Sequence, residues 1–202
     1  MKSSVGFCLS AKFFVDLNII FFDWRSQVMK GTISRCLLEM IDEKMGSEMS
    51  SRIVEKAGVS SPNLLRMSLS DVPEEDFMKL FTTTLSETGL SKEAACDAFG
   101  EYWCCTYVPK NYSFVIEKFS NAKDMILGMD KVHTQLTATI KNARPPHFEY
   151  HWQSENELEV TYFSDRGLID VYVGLARGVG KYFKEDVKAV KMSESKALIT
   201  FS

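Results

Sequence analysis

The chain has 202 residues, of which 45% are apolar and 25% are charged, with a formal net charge of −3 and an isoelectric point near 5.7. These values are ordinary for a globular protein and exclude a disordered or fibrous chain. The weak net charge gives no broad surface for nucleic acid or for an anionic membrane, so neither is predicted as a partner.

The first 28 residues differ in character from the rest. The apolar stretch over 11–24 is interrupted by Asp16 and Asp23, and it is shorter than the ~20 apolar residues that a membrane span needs. It also lacks the clean apolar core of a signal peptide. We therefore predict an N-terminal extension of uncertain role over 1–28, no membrane span, and one domain over 29–202.

Apolar residues at helical spacing predict a helical N-terminal lobe. Its helices are expected over 32–44, 47–56 and 73–89 and from Ser91 through Trp103, with Ser47 and Ser91 as caps and a loop over 58–72. The longest helix is predicted over 121–141, with an apolar stripe of Met125, Met129, Val132, Leu136 and Ile140. Pro145 and Pro146 should end it, because proline keeps the preceding residue out of the helical conformation.

The pattern then changes to alternation, which is typical of strands. Strands are predicted over 147–152, 157–164, 186–192 and 196–201, with a helix over 170–183 whose Gly174, Gly178 and Gly180 indicate close packing. The predicted fold class is α+β: a helical N-terminal lobe followed by an antiparallel sheet with an inserted helix.

The five cysteines are odd in number and lack CxxC spacing; they are Cys8, Cys36, Cys96, Cys104 and Cys105. This usage argues against a disulfide framework or a zinc site and predicts a reducing, cytoplasmic location. The adjacent Cys104 and Cys105 are either a redox pair or, as we prefer, small apolar residues of a helix.

Common enzyme motifs are incomplete or missing. The segment GLARGVGKY resembles a phosphate loop, but Leu175 replaces its first glycine and Tyr182 replaces its Ser or Thr. There is no GxSxG elbow and no HExxH motif. His147 and His151 share one strand face, where solvated side chains are a better interpretation than a surface metal pair. We expect no enzymatic activity.

Two remaining features carry chemistry. His133 lies in mid-helix beside the apolar stripe, where an unpaired imidazole costs about 1–3 kcal/mol, so it is either a hydrogen-bonded core histidine or a haem ligand. Tyr162, Ser164 and Arg166 alternate at a strand end, so they should share one face and offer two hydroxyls and a guanidinium group. Such a row suits the paired carboxylates of haem propionates, although an exposed strand face is the alternative.

Five segments in order resemble the H-NOX (haem nitric oxide/oxygen binding) family, which includes bacterial gas sensors and the haem domain of soluble guanylate cyclase. They are MKGTI at 29–33, AFGEYW at 98–103, MDKVHTQLTATIKNARPP at 129–146, ELEVTYFSDRGL at 157–168 and VGLARGVGKYFKE at 173–185. The resemblance implies haem b (iron protoporphyrin IX) buried between the lobes with His133 on the iron. It also implies that Tyr162, Ser164 and Arg166 hold the propionates and that Pro146 packs against the porphyrin.

The resemblance also bears on which gas is bound. Val171 stands where oxygen-binding members of the family place a tyrosine donor. Leu37 and Trp103 occupy the positions of the residues that join this tyrosine in a polar network. Ile33 and Leu175 should add to an apolar pocket. Bound dioxygen gains much from a donor and nitric oxide far less, so we predict a nitric oxide sensor that excludes oxygen. Carbon monoxide is a further candidate ligand.

Three alternatives remain open. The Trp103 indole or the Tyr107 hydroxyl would make an oxygen sensor if either reached the ligand, although simple aromatic packing is our interpretation. A haem-free interaction module would have a core-bonded His133. A peroxidase-like enzyme needs a distal acid–base histidine, and neither His147 nor His151 is placed for that role.

The resemblance implies signalling by conformational change to a separate protein, such as a histidine kinase, a cyclic-di-GMP enzyme or a chemoreceptor. The alternative is that the chain is the sensor part of a longer receptor. Nitric oxide would weaken the bond between iron and His133, which would free the helix over 121–141 and let the haem relax against Pro146. The N-terminal helices would then shift relative to the sheet.

Overall fold

The computed structural model describes residues 28–202, so the predicted N-terminal extension lies outside the described residues except for Val28. The helices are α1 Thr32–Met45, α2 Ser47–Ala57, α3 Glu74–Thr88, α4 Lys92–Tyr102, α5 Val108–Asn111, α6 Ser113–Ile116, α7 Ala122–Thr137 and α8 Ile169–Phe183. The strands are β1 Val28–Lys30, β2 Asp71–Pro73, β3 His147–Trp152, β4 Glu157–Phe163, β5 Val187–Lys191 and β6 Lys196–Phe201. A 3-10 turn spans Pro62–Arg66, and a wide helical turn spans Trp103–Tyr107.

The N-terminal lobe packs α1 to α4 around one apolar cluster. Leu37, Leu38 and Ile41 recur at helical spacing on α1 and are buried together on one face. Phe77 and Leu80 of α3 complete this side of the cluster. The short strands β1 and β2 pair antiparallel, which brings the first described residues to the start of α3.

The C-terminal lobe is a four-stranded antiparallel sheet in the order β3-β4-β6-β5. Alternate residues of β4 point inward, so Leu158, Val160 and Tyr162 are buried in a second apolar cluster. α8 follows β4 in the chain and adds Ile169 and Val173 to the same cluster. The predicted α+β class, with a helical lobe and then an antiparallel sheet with an inserted helix, is confirmed.

α4 and α8 join the two lobes along a seam of glycines, as the small residues of α8 predicted. A Cβ atom on Gly100 would lie 2.0 Å from the carbonyl oxygen of Gly174, and one on Gly178 would lie 2.2 Å from that of Gly100. A Cβ on Gly174 would meet the Cys96 carbonyl oxygen at 2.2 Å. Only residues without a side chain permit backbones to approach so closely. Below, the α4–α8 seam means Cys96, Gly100, Gly174 and Gly178.

The helix after α4 widens over Trp103–Tyr107 instead of ending. Pro109 lies in the first turn of α5 and has no backbone N–H, so the regular hydrogen-bond ladder cannot continue through it. Such wide turns recur at functional sites. Here the turn leaves Trp103 partly exposed and buries Tyr107 fully.

The longest predicted helix is shorter than expected, since α7 ends at Thr137 and not at 141. The Thr137 hydroxyl donates to the carbonyl of His133 at 2.7 Å, which competes with the backbone ladder. Asn142 then adopts a φ of 61°, which reverses the chain before Pro145. The predicted stripe is also wrong in its second half, because Leu136 is 37% exposed.

Other local boundaries differ in smaller ways. Gly46, with a φ of 90°, caps α2, so Ser47 is its first residue and not its cap. Pro73 precedes α3 because its backbone pairs with β1. The predicted loop over 58–72 contains the 3-10 turn and most of β2. The expected cap at Ser91 is present, since its hydroxyl accepts from the Ala94 N–H at 3.2 Å.

The cysteines among the described residues are free thiols. Cys36, Cys96 and Cys104 are buried and Cys105 is exposed. Burial raises the pKa of Cys96 to about 11, so this thiol stays protonated and unreactive. The Cys104 thiol donates weakly to the Leu175 carbonyl at 3.6 Å, which fits the preferred interpretation of a packing residue. No helix within 28–202 is both long enough and apolar enough to cross a membrane.

Candidate functional site

His133 lies near the end of α7 with its ring against Phe148, at 5.8 Å between ring centroids. Its Nδ1 atom is buried and has no hydrogen-bond partner among residues 28–202. Burial lowers the pKa of the imidazole, while the backbone of Pro146 and the carboxylate of Asp130 act in the opposite direction. The Pro146 backbone is therefore near the ring, although it does not form a well-aligned hydrogen bond. The ring is therefore neutral, and its Nδ1 atom lacks a hydrogen-bond partner among residues 28–202.

Asp130 fixes the position of His133 relative to the sheet. It lies one helical turn before His133 on α7, and its Oδ1 atom accepts from the Phe148 N–H at 3.1 Å. The same oxygen lies 3.2 Å from Nδ1 of His147. These contacts attach α7 to the first residues of β3. The half-buried Pro146 directly precedes this attachment.

Tyr162, Ser164 and Arg166 come together, but not by the predicted alternation. β4 ends at Phe163, and the chain turns over the following residues, so Ser164 and Arg166 are no longer on the strand. The turn is tightened by the Arg166 N–H, which lies 3.4 Å from Oγ of Ser164. Burial raises the pKa of the Tyr162 hydroxyl, and the adjacent Ser164 side chain opposes that shift. The three polar groups thus form a turn-based cluster.

The Arg166 guanidinium connects three other segments of the chain. Nη1 donates to the Arg144 carbonyl at 2.5 Å, and Nη2 donates to the Val28 carbonyl at 3.1 Å. Nε lies 3.4 Å from Oε2 of Glu74, in an ion pair whose side chains are 14% and 15% exposed. Nε is buried and makes no hydrogen bond to a described residue, so part of the guanidinium remains unsatisfied.

The predicted apolar wall lies on the side of the N-terminal cluster. Leu37 is fully buried there, and Ile33 and Val171 pack against the cluster while staying partly exposed. Trp103 and Leu175 are also partly exposed and contact both apolar clusters. All five side chains therefore belong to the N-terminal cluster, and Trp103 and Leu175 also lie at its junction with the sheet cluster.

The Tyr107 hydroxyl, which is the second candidate donor, is already engaged. It lies 3.1 Å from Oγ1 of Thr32, which in turn lies 3.0 Å from the Tyr112 hydroxyl. The Tyr107 ring stacks on Trp103 at 5.3 Å between centroids. Tyr107 is 1% exposed, so its hydroxyl is directed into the start of α1.

Comparisons with known proteins identify the family of the chain. The profile of the family described as Haem-NO-binding (HNOB) matches residues 30–191, which is most of the chain. The chain belongs to the H-NOX family. The family is one of haem-based gas sensors, and its cofactor is haem. No curated protein shows significant sequence similarity to the chain.

Solved H-NOX structures share the fold. The Fe(II) unliganded H-NOX protein from K. algicida is 18% identical with a TM-score of 0.74, over 86% of this chain and 97% of that one. A mutant Fe(II) H-NOX protein from S. oneidensis is 17% identical with a TM-score of 0.76, over 86% and 96%. An oxygen-binding H-NOX domain related to soluble guanylate cyclases, in its oxygen complex, is 22% identical with a TM-score of 0.69, over 86% and 95%.

The unsatisfied groups of this chain fit the haem that H-NOX proteins bind. A neutral buried imidazole is the ligand type that haem iron takes, and His133 provides one. Hydroxyl and guanidinium donors suit carboxylates, and the cluster of Tyr162, Ser164 and Arg166 provides both. His147 and His151, for which solvated side chains are the preferred interpretation, are both exposed.

Sequence reasoning missed two residues near this site. Glu74 lies in the first turn of α3 and is the carboxylate partner of Arg166. The second is the buried Tyr172, which follows Val171 on α8 and lies among apolar neighbours in the sequence. A largely buried guanidinium group such as that of Arg166 needs a carboxylate partner, so a residue like Glu74 could be expected beside it. No local pattern distinguished Tyr172.

Proposed function

We propose that this H-NOX domain senses nitric oxide at a ferrous haem held by His133 and signals to a separate protein without catalysing a reaction. The observation that carries the proposal is the buried Nδ1 atom of His133, which has no partner among residues 28–202. Buried polar atoms in native proteins nearly always have partners, so this one indicates a ring whose environment is completed by a bound group.

Haem, when bound, would supply an iron that can bind both an imidazole and a gas molecule. His133 supports this because burial lowers the pKa of its imidazole and keeps the ring neutral. Tyr162, Ser164 and Arg166 would donate to the propionates. For Arg166 this would add a second carboxylate partner to a guanidinium group that already forms an ion pair with Glu74. Pro146, next to the His133 ring, would pack against the porphyrin.

Selectivity for nitric oxide over oxygen is supported by the side chains of the apolar wall. Ile33, Leu37, Val171 and Leu175 carry no donor, and the Tyr107 hydroxyl is paired with Thr32. Bound dioxygen is polarised and depends on a donor, whereas nitric oxide depends on one far less. We expect carbon monoxide to bind as well, for the same reason.

An oxygen sensor is the second candidate, and one observation favours it. Trp103 carries an indole N–H on a ring that is only partly buried and contacts both apolar clusters at the lobe junction. An N–H in that position is a candidate donor to a polar ligand. The replacement Trp103→Phe keeps the aromatic packing and removes the donor, so it separates the two candidates. Loss of a stable oxygen complex in that variant would favour the oxygen sensor.

The proposed signal is a displacement of α7 once His133 is released. The hydrogen bonds that tie α7 to other elements lie at Ala122, Ile126 and Asp130, all before His133 in the chain. Release of the imidazole would free the last helical turns and, through Arg144 and Arg166, would reach β1 and α3. A partner protein could distinguish these two states. The kind of partner, whether a histidine kinase, a cyclic-di-GMP enzyme or a chemoreceptor, and the cytoplasmic location remain predictions from the sequence.

Absorption spectra of the ferrous protein test the proposal directly. They are recorded under argon, after exposure to air and after addition of nitric oxide. We expect a haem Soret band that air leaves unchanged and that nitric oxide shifts to a five-coordinate form. A stable oxygen complex would support the oxygen sensor instead. Absence of a Soret band after haem is supplied would refute both candidates.

The role of His133 in signalling has its own test. His133→Gly with free imidazole on the iron uncouples the ligand from α7 while keeping the coordination. We expect nitric oxide to bind this variant normally without changing the protein conformation, as measured by hydrogen exchange of α7. A conformational response as large as that of the wild type would show that the signal does not pass through His133.

A further inference from the structure

The described chain contains three buried side-chain nitrogen or oxygen atoms with no hydrogen-bond partner: Nδ1 of His133, Nε of Arg166 and the hydroxyl of Tyr172. The first two belong to the proposed haem site. The third has no assigned role, although Tyr172 is 8% exposed and its hydroxyl bears the full cost of desolvation. Unpaired buried groups are rare enough in native proteins that each needs a physical cause.

Tyr172 belongs to the same aromatic cluster as the haem-binding candidates. The Phe148 ring lies 5.0 Å from the Tyr172 ring and 5.8 Å from the His133 ring, between centroids. The Tyr162 ring lies 6.3 Å from that of Tyr172 and 5.9 Å from that of Phe148. One aromatic ring therefore separates Tyr172 from His133, and Tyr172 is the direct neighbour of Tyr162.

Another hydroxyl of this cluster is satisfied within the protein. Tyr150 donates to the Ile126 carbonyl of α7 at 2.8 Å. The region therefore accommodates hydrogen-bonded tyrosines, and the isolation of the Tyr172 hydroxyl is specific to that side chain. Burial, and next the nearby Tyr150, raise the pKa of Tyr172 well above its ordinary value, so the hydroxyl keeps its proton and remains a donor.

The position on α8 connects Tyr172 to both sides of the site. Val171 packs against the N-terminal cluster, whereas Tyr172 packs against the sheet cluster that includes Phe148. Successive helical residues point about 100° apart, so two neighbouring residues of α8 face the two lobes. The Tyr172 ring thus packs on the sheet side of the lobe junction, beside Tyr162 of the proposed propionate cluster.

We infer that Tyr172 is a haem-binding residue of this domain, whose hydroxyl donates to an oxygen acceptor that arrives with the haem. Such an acceptor is a propionate carboxylate or a water molecule retained beside the haem. The inference rests on the proposed haem site and adds to it a donor on α8. Tyr172 would act on the cofactor and not on the gas.

The variant Tyr172→Phe tests this inference, and Tyr150→Phe is the matched control from the same cluster. Each removes one hydroxyl and keeps the ring. The rate of haem transfer from the loaded protein to an excess of apomyoglobin measures haem retention, and the midpoint potential of the haem gives a second readout. We expect Tyr172→Phe to transfer haem about tenfold faster, which corresponds to about 1.4 kcal/mol. Tyr150→Phe should stay within about twofold, because its hydroxyl pairs with α7.

Loading with haem dimethyl ester, which lacks free carboxylates, distinguishes the two acceptors. If the acceptor is a propionate, the difference between wild type and Tyr172→Phe should shrink strongly with the ester. If it is a water, the difference should persist. Both results support a haem-dependent donor.

Equal haem transfer and equal midpoint potential in wild type and Tyr172→Phe would overturn the inference, as would an equal effect of Tyr150→Phe. The melting temperature of each loaded variant checks that faster transfer does not come from general unfolding. A wild type that retains no haem would refute the proposed function itself. If the wild type and Tyr172→Phe retain haem equally well, only this inference is refuted.

Discussion

Helices α7 and α8 both flank the candidate haem site, yet they are attached to the protein in opposite ways. α8 buries eight of its fifteen residues and meets α4 with backbone against backbone along the α4–α8 seam. α7 buries only Ala122, Met125 and Ile126, all within its first turns. α8 is therefore packed along its whole length, whereas α7 is packed only over its first turns.

The difference separates a fixed wall from a movable one. α8 cannot shift toward α4, because there is no free space between the two backbones. The His133 end of α7 has few buried contacts with other protein side chains, so the proposed haem bound to His133 would provide most of its attachment. A sensor needs one side that holds the ligand pocket constant and one side that responds, and this contrast provides both.

The largest expected effect comes from closing the α4–α8 seam with one methyl group. In Gly178→Ala the new Cβ would lie 2.2 Å from the Gly100 carbonyl oxygen, so the helices must separate. We expect a loss of about 3 kcal/mol in the free energy of unfolding, measured by chemical denaturation.

The control for this variant is Gly89→Ala. Gly89 has a φ of 69° and nothing within 4 Å of a Cβ, so only backbone strain of about 1 kcal/mol should appear. Equal losses in Gly178→Ala and Gly89→Ala would mean that the seam can open without cost, and α8 would not be a fixed wall.

The next effect concerns Arg166, which holds the chain that follows α7. Arg166→Met removes the bonds to the Arg144 and Val28 carbonyls and leaves Glu74 largely buried without its partner. We expect a loss of about 2 kcal/mol in the free energy of unfolding, because bonds from a charged donor are worth roughly 1.5–3 kcal/mol.

A double-mutant cycle identifies the part that comes from Glu74. The pair Arg166→Met with Glu74→Gln should recover about 1 kcal/mol, since no unpaired carboxylate then remains. The exposed pair of Lys79 and Glu75 is the control, and Lys79→Met should change stability by less than about 0.5 kcal/mol. Additive losses at Arg166 and Glu74 would show that the two side chains do not interact.

Sequence patterns predicted features with local causes and failed where the cause was tertiary. The bounds of β3 and β6 agree with the prediction because alternation and turn residues act over a few positions. The end of α7 was missed because a Thr137 hydroxyl bond and the left-handed Asn142 decided it. His133 could be singled out as a polar group beside an apolar stripe, and Arg166 as a member of a row with Tyr162 and Ser164. The contact of Arg166 with Glu74 joins residues far apart in the chain, so no local spacing encodes it.

A smaller effect is expected at the wide turn after α4, where Tyr107→Phe removes the hydroxyl near Thr32. One buried hydrogen bond should cost about 1 kcal/mol in the free energy of unfolding. The oxygen and nitric oxide spectra should not change, because this hydroxyl is directed into α1 and not toward the ligand. Thr32→Val should give a similar loss, since it removes the partner. A changed oxygen spectrum in Tyr107→Phe would show that the hydroxyl reaches the ligand after all.

The smallest effect is expected at the movable end of α7. Leu136 lies beyond His133 and is 37% exposed, so Leu136→Ala should lower the free energy of unfolding by less than about 0.5 kcal/mol. Ile126→Ala, on the same helix but 4% exposed, should cost about 3 kcal/mol because it leaves a cavity in the sheet cluster. Thermal unfolding of both variants compares the two ends of one helix. A large loss at Leu136 would mean that the His133 end is packed as firmly as the other, and α7 could not act as the responding side of the site.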